Sequence, residues 1–158
     1  LFRSLVSWQR EQFRIFGRTV DAPRTTAWFG DHSLNYRYAG TDHPGNGWPE
    51  GLTGLRERVS DHARQHFNFV VLNRYQHGGE YMGWHRDDER GAAPRIASLS
   101  LGGVRRFRIQ SQADKTSTAI DLTSGSLLVF DASLRHQLAR SQRICQPRIN
   151  LTFRTIAA

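Results

Sequence analysis

The segment Gly83-Trp84-His85-Arg86-Asp87-Asp88-Glu89 sets His85 and Asp87 two residues apart. On an extended chain, residues i and i+2 point the same way, so an imidazole and a carboxylate could converge on one ion. A third ligand must come from another stretch. His136, in Ser133-Leu134-Arg135-His136, is the best placed candidate. Two histidines and one carboxylate on one face of an ion leave open positions, the arrangement of non-haem Fe(II) oxygenases. A His-X-Asp pair is also common as a surface hydrogen bond, and both readings stand on these residues alone. His32, His43, His62, His66 and His77 fall in loops, on a helix face, at its end and in a turn, with nothing pointing to chemistry.

A second pattern lies near the C-terminus. Pro147-Arg148-Ile149-Asn150-Leu151-Thr152-Phe153-Arg154 alternates strictly. Ile149, Leu151 and Phe153 share one face of a strand, and Arg148, Asn150, Thr152 and Arg154 share the other. Two guanidiniums on one stripe must be solvated or paired, because burying isolated charge is very costly. The stripe therefore faces either water or an anion, and a dicarboxylate fits two guanidiniums well. Asn73 and Tyr75 also share a face and could add an amide and a hydroxyl.

The elements that must position these groups follow from periodicity. Leu52, Leu55, Val59 and Ala63 recur at helical spacing. From Phe67 the period becomes two, and strands are predicted at 67–75, 96–101, 106–110, 119–122, 126–131 and 147–154, with turns at Gly102-Gly103 and Ser124-Gly125. Residues 40–51 are Gly- and Pro-rich and are read as a loop. Leu5, Trp8 and Gln12 are at helical spacing, so a short N-terminal helix leading into a strand is expected. Short strands after a helical start indicate a mainly β sandwich or jelly roll, because the connections are too short for helices between the strands.

Length and composition set the outer bounds. At 158 residues the chain fits a single domain with its own core. No apolar run approaches the ~18 residues of a membrane span, so no membrane partner is expected. No basic–apolar–small leader opens the chain, from which a cytoplasmic location is expected, nuclear in a eukaryotic host. One cysteine, Cys145, excludes a disulfide framework and a Cys-rich zinc site. The net charge is +8, and the only lysine is Lys115. A polyanion partner and a generally basic soluble enzyme both fit that balance.

Taken together, Asn73-Arg74-Tyr75, His85-Arg86-Asp87, the strands around 98–102 and 125–129, His136 and Arg148-Ile149-Asn150-Leu151-Thr152-Phe153-Arg154 resemble the AlkB family of Fe(II)/2-oxoglutarate dioxygenases. The match runs in order through residues 67–155. The resemblance implies a double-stranded β-helix (jelly roll) with N-terminal helices: one dioxygenase domain over 1–158, with a nucleotide-recognition region at 1–50 and the catalytic core at 67–155. It implies Fe(II) on His85, Asp87 and His136, and 2-oxoglutarate held by Arg148 and Arg154 with help from Asn73, Tyr75 and Asn150. One position is left for O2. It further implies oxidative dealkylation of bases such as 1-methyladenine or 3-methylcytosine in DNA, releasing formaldehyde, succinate and CO2. RNA demethylation, or protein or small-molecule hydroxylation on the same core, are the alternatives, and a monomer is expected.

A base must leave its stack to reach such an iron. Tyr36 and Tyr38, two apart, could line its pocket, with the His85 ring opposite, whereas Trp28 and Phe29 read as core. Asp88 and Glu89 could accept hydrogen bonds from an exocyclic amine. Arg14-Ile15-Phe16-Gly17-Arg18 resembles the family's finger for duplex DNA, with Phe16 as the wedge; packing of Ile15 and Phe16 in a strand is the other reading. Some of Arg86, Arg90, Arg95, Arg105, Arg106 and Arg108 are expected to contact phosphate.

Overall fold

The computed structural model describes residues 6–15, 17–38 and 40–157. Thirteen strands and one helix are found among them. The strands are β1 (Gln12–Ile15), β2 (Arg18–Asp21), β3 (Thr25–Gly30), β4 (Asn35–Tyr38), β5 (Thr41–Pro44), β6 (Phe69–Tyr75), β7 (Met82–His85), β8 (Arg95–Gly102), β9 (Arg105–Gln110), β10 (Ser117–Leu122), β11 (Leu127–Asp131), β12 (His136–Leu138) and β13 (Arg148–Arg154). The helix α1 is Glu50–Ala63.

Two antiparallel sheets form the jelly roll. The larger has the order β11-β8-β13-β6-β3 and the smaller β10-β9-β12-β7. Period-two alternation divides the larger sheet into two unlike faces. Val70, Leu72, Ala97, Leu99, Leu151 and Phe153 pack with Leu52, Val59 and Ala63 of α1 in one apolar cluster. The opposite face carries Asn73, Tyr75, Ser98 and the polar stripe of β13 into a cavity shared with the smaller sheet. Burying the helix-side face is what holds the polar face in place, because a one-residue slip of β13 would exchange the two.

Helix α1 starts after Pro49, with Glu50 in its first turn, where a carboxylate favours the helix dipole. It ends as Arg64 enters the left-handed region (φ 50), and Arg95 Nη1 donates to the freed Ala63 carbonyl at 3.1 Å. At the other end of β8, Gly102 (φ +87) permits close approach, since a Cβ there would sit 2.4 Å from the Pro147 carbonyl oxygen.

The N-terminal third departs from expectation in two places. The helical spacing of Leu5, Trp8 and Gln12 is not used by the described residues: Gln9 and Thr26 exchange backbone hydrogen bonds of 2.8 Å each way, and Gln12 begins β1. Tertiary pairing overrides a weak local period there; Leu5 lies outside the described residues. Within the segment read as a loop, 41–44 form β5, paired with β4 so that Tyr36 faces His43. Pro44 is tolerated because this hairpin is a sheet of only two strands.

Candidate metal centre and its pocket

Strand register assembles the centre. His136 on β12 pairs directly with His85 on β7, which brings their ring centroids to 4.2 Å. The next pair is Leu138 with Met82, so β7 carries one extra residue between the two pairs. This bulge lets Met82 and His85, three apart, both face the cavity. Asp87 follows two residues past His85. Its Oδ1 lies 3.6 Å from His85 Nε2 and its Oδ2 lies 3.4 Å from His136 Nε2. The three donor atoms fall within 4.8 Å of one another, the only such group among the described residues.

The protonation pattern suits a cation. His85 Nδ1 lies 2.8 Å from the Gly83 carbonyl and His136 Nδ1 lies 2.8 Å from the Leu134 carbonyl. A carbonyl only accepts, so each Nδ1 carries the proton and each Nε2 offers its lone pair. Burial pushes the His85 ring toward its neutral form against the pull of Asp87. Burial also pushes the Asp87 carboxyl up, but Arg154 first, then His136 and His85, outweigh it and hold the carboxylate well below its usual range.

The residues expected to hold a dicarboxylate line the same cavity, with unequal surroundings. Arg154 is paired within the protein: Nη2 lies 2.8 Å from Asp87 Oδ1 and Nη1 lies 3.7 Å from Glu89 Oε2. Among the described residues, Arg148 has no carboxylate partner. Its Nη2 donates to Ser100 Oγ at 2.9 Å, its Nε is buried without a partner, and its guanidinium lies 5.7 Å from the Tyr75 ring centre. Burial, together with the nearby Arg105, pushes its pKa down to about 10 despite Tyr75. Asn73 Oδ1 accepts from Arg24 Nε at 2.6 Å. Asn150 is engaged internally, donating to Ser98 Oγ at 2.7 Å and accepting from Thr152 Oγ1 at 2.8 Å.

The residues expected on the substrate side divide. Tyr36, Tyr38 and Glu89 line the cavity. Tyr36 Oη donates to Glu89 Oε2 at 2.8 Å, and the Tyr36 and Tyr38 rings lie 5.1 Å apart. Burial raises both phenols well above their usual range, so both stay protonated donors. Asp88 is exposed and lines none of the cavity: the extended chain that aims Asp87 and Glu89 leaves this position in solvent. Phe16 lies outside the described residues; the β1–β2 turn beside it carries Gly17 at φ 77, with Arg14 and Arg18 exposed. Trp28 and Phe29 pack against apolar clusters, as expected of core. Among the arginines proposed for phosphate, Arg105 is corrected. It is buried, and its guanidinium donates to the carbonyls of His77, Gly78, Glu80 and Ala139. Arg106 pairs with Asp121 at 2.9 Å, while Arg86, Arg90 and Arg108 are exposed.

Three residues around the pocket, Arg24, Glu11 and His43, stand outside any periodic run of the sequence. Arg24 precedes β3 and has no periodic context. Glu11 and His43 meet only once β4 and β5 are seen to be a hairpin, for which Gly40 (φ 83) was the available clue.

The profile of the 2OG-Fe(II) oxygenase superfamily matches residues 1–154. The chain belongs to the AlkB family of these oxygenases. It is 36% identical to the DNA oxidative demethylase ALKBH2 of Mus musculus, over 90% of this chain and 66% of that protein. It is 33% identical to the alpha-ketoglutarate-dependent dioxygenase alkB homolog 3 of Mus musculus, over 96% of this chain and 58% of that protein. The chain thus spans about three-fifths of the length of these relatives. A solved structure of OsALKBH1 superposes with a TM-score of 0.62 at 15% identity, covering 84% of this chain and 78% of the other, and it shares the fold. The AlkB family works with Fe(II), 2-oxoglutarate and O2. Two imidazoles and a carboxylate fit Fe(II), and the buried guanidinium of Arg148, which meets no carboxylate among the described residues, fits a carboxylate of the cosubstrate. Among the described residues no helix is long and apolar enough to cross a membrane.

Proposed function

We propose that this protein oxidatively dealkylates N-alkylated bases of the 1-methyladenine and 3-methylcytosine type in DNA, releasing formaldehyde, succinate and CO2. The observation that carries the reading is one cavity holding three things: the His85–Asp87–His136 group, the unpaired Arg148, and the tyrosine–glutamate wall of Tyr36, Tyr38 and Glu89. With Fe(II) and 2-oxoglutarate bound, such a site supplies hydroxylation of an N-methyl group coupled to decarboxylation of the keto acid, and the hydroxymethyl amine then releases formaldehyde.

The chain's own residues do the rest. His85, Asp87 and His136 hold the metal. Arg148 takes a cosubstrate carboxylate beside Tyr75, and Arg154 fixes the Asp87 carboxylate while offering its remaining edge to the cosubstrate. Asn73, Tyr75 and Asn150, which line the same cavity, help to hold the cosubstrate. Tyr38 supplies a π surface for a flipped base, and Glu89, oriented by Tyr36, accepts from its exocyclic amine. The net charge of +8 favours a polyanion. Two relatives are named DNA oxidative demethylases, which favours DNA over the RNA and hydroxylase alternatives. The β1–β2 hairpin is read as the finger, with Phe16 as its wedge. A single dioxygenase domain, with 1–50 as the recognition region, acting as a monomer in the cytoplasm or nucleus, completes the reading.

The test is formaldehyde release with Fe(II) and 2-oxoglutarate, compared on methylated DNA, methylated RNA and peptides. Methylated DNA is expected to lead, with His85→Ala and Asp87→Ala inactive; release from RNA or peptides alone would overturn the reading. Phe16→Ala is expected to lower repair of duplex far more than of single strands, and equal loss on both would remove the finger.

A further inference from the structure

Glu11 and His43 line no part of the cavity, yet both are fastened to its tyrosine wall. His43 is fully buried, and its Nε2 lies 2.7 Å from Glu11 Oε1. Its Nδ1 faces the Tyr36 carbonyl at 3.1 Å. Both partners are acceptors, so each ring nitrogen meets an oxygen and the imidazole is held at both. Burial raises the Glu11 carboxyl, but hydrogen bonds from His43, Thr26 and Tyr38 outweigh it and keep the carboxylate ionised. The other oxygen, Oε2, accepts from Tyr38 Oη and Thr26 Oγ1, each at 2.9 Å.

The Tyr38 ring is thereby fixed in two directions. Its hydroxyl is held by Glu11, and its face lies on the His43 ring at 4.0 Å with the planes 11° apart. Trp28 also packs on His43, in a T-shaped contact at 4.6 Å. A buried pair with every polar atom satisfied holds a single geometry well, and the stacked rings add an aromatic contact to it.

We propose that Glu11 and His43 are positioning residues that fix the Tyr38 ring as the stacking wall for the flipped base, and so set affinity for the nucleobase rather than for metal or cosubstrate. This rests on the base-dealkylating reading above. A free tyrosine would have to surrender rotamer freedom when the base arrives. The pair meets that ordering cost beforehand, which is how preorganisation raises affinity.

The test is a KM-against-kcat analysis of formaldehyde release from a 1-methyladenine oligonucleotide by the Fe(II)- and 2-oxoglutarate-loaded enzyme. KM does not depend on how much of a variant is folded, so partial misfolding does not obscure it. Tyr38→Leu is expected to raise the oligonucleotide KM roughly tenfold or more, as loss of a base-stacking aromatic does. His43→Leu is expected to raise it roughly fivefold, with kcat and the KM for 2-oxoglutarate within about twofold of wild type. Glu11→Gln and Tyr38→Phe, which keep the shapes, should give smaller rises of the same kind. Because His43 acts only through Tyr38, the double variant His43→Leu/Tyr38→Leu should be no worse than Tyr38→Leu alone. Additive losses, an equal rise in the KM for 2-oxoglutarate, or an unchanged oligonucleotide KM in His43→Leu would each overturn the proposal while leaving the dealkylase reading intact. A wild-type enzyme that releases no formaldehyde from the oligonucleotide would remove that reading, and the positioning proposal with it.

Discussion

Arg148 and Arg154 stand six residues apart on the same face of β13, both buried, and their surroundings differ in sign. Arg154 lies between Asp87 and Glu89; burial works against its charge, but these acids and Tyr36 outweigh it and raise its pKa. Arg148 meets a serine hydroxyl, a tyrosine face and another guanidinium nearby, with no carboxylate against it among the described residues. One arginine is neutralised by the fold. The other is an unmet demand for an anion. The difference teaches that a repeated residue on a strand need not repeat its role: the first waits for a ligand, and the second keeps a metal-binding carboxylate in place.

That contrast is open to attack by substitution, beginning with the largest effect. Arg154→Met strands Asp87 as a buried carboxylate, and urea unfolding of the metal-free protein should show a loss of about 3–5 kcal/mol. Arg148→Met should behave oppositely in the ligand-free protein, leaving stability unchanged or raising it by about 1 kcal/mol. It should also weaken 2-oxoglutarate binding by about 2–5 kcal/mol, read as loss of the cosubstrate's thermal shift. A destabilised Arg148→Met would show that the two guanidiniums are alike after all.

Glu11 offers a milder comparison, being a carboxylate that the fold holds ionised away from β13. Its folded pKa is depressed, so its contribution is fully present above the ordinary glutamate value of ~4.3 and is lost as pH falls through the lower folded value. The melting temperature of Glu11→Gln should therefore fall less steeply than that of wild type below about pH 4.3. Smallest is Gly54→Ala on α1, an exposed site with nothing within 4 Å of an added Cβ. It should stabilise by about 0.5–1 kcal/mol without altering cosubstrate affinity, separating general stability from the two arginines.

How much of this was legible beforehand depended on the kind of order involved. The catalytic core rests on alternation, and alternation is written in the chain: β13 and β6 could be assigned faces residue by residue. The i, i+2 spacing of His85 and Asp87 and the isolated His136 likewise needed no partner to be noticed. What alternation could not tell was whether the polar stripe met water or a cavity, since that depends on the second sheet. The recognition side rests on contacts between residues far apart in the chain. Glu11 meets His43 across 32 positions, and neither residue sits in a periodic run. Arg105, read as a surface cation, is instead wrapped in carbonyls because the segment after β6 and the residue following β12 close over the start of its strand. Asp88 was grouped with Glu89 by proximity in sequence, although adjacent residues of an extended chain face opposite ways.

The extra residue in β7 has an implication for how iron loading depends on strand pairing. The two imidazoles oppose each other across neighbouring strands only because Gly83 and Trp84 together occupy a place where regular pairing would allow one residue. Removing one of the two would leave Met82 and His85 two apart, the spacing at which a regular strand turns both side chains to one surface. Iron occupancy in this protein is therefore a gauge of pairing: a chain one residue shorter there should fold without the bulge and still colour with ferrous iron and keto acid, whereas regular pairing of the full-length strand from Met82 would turn position 85 away.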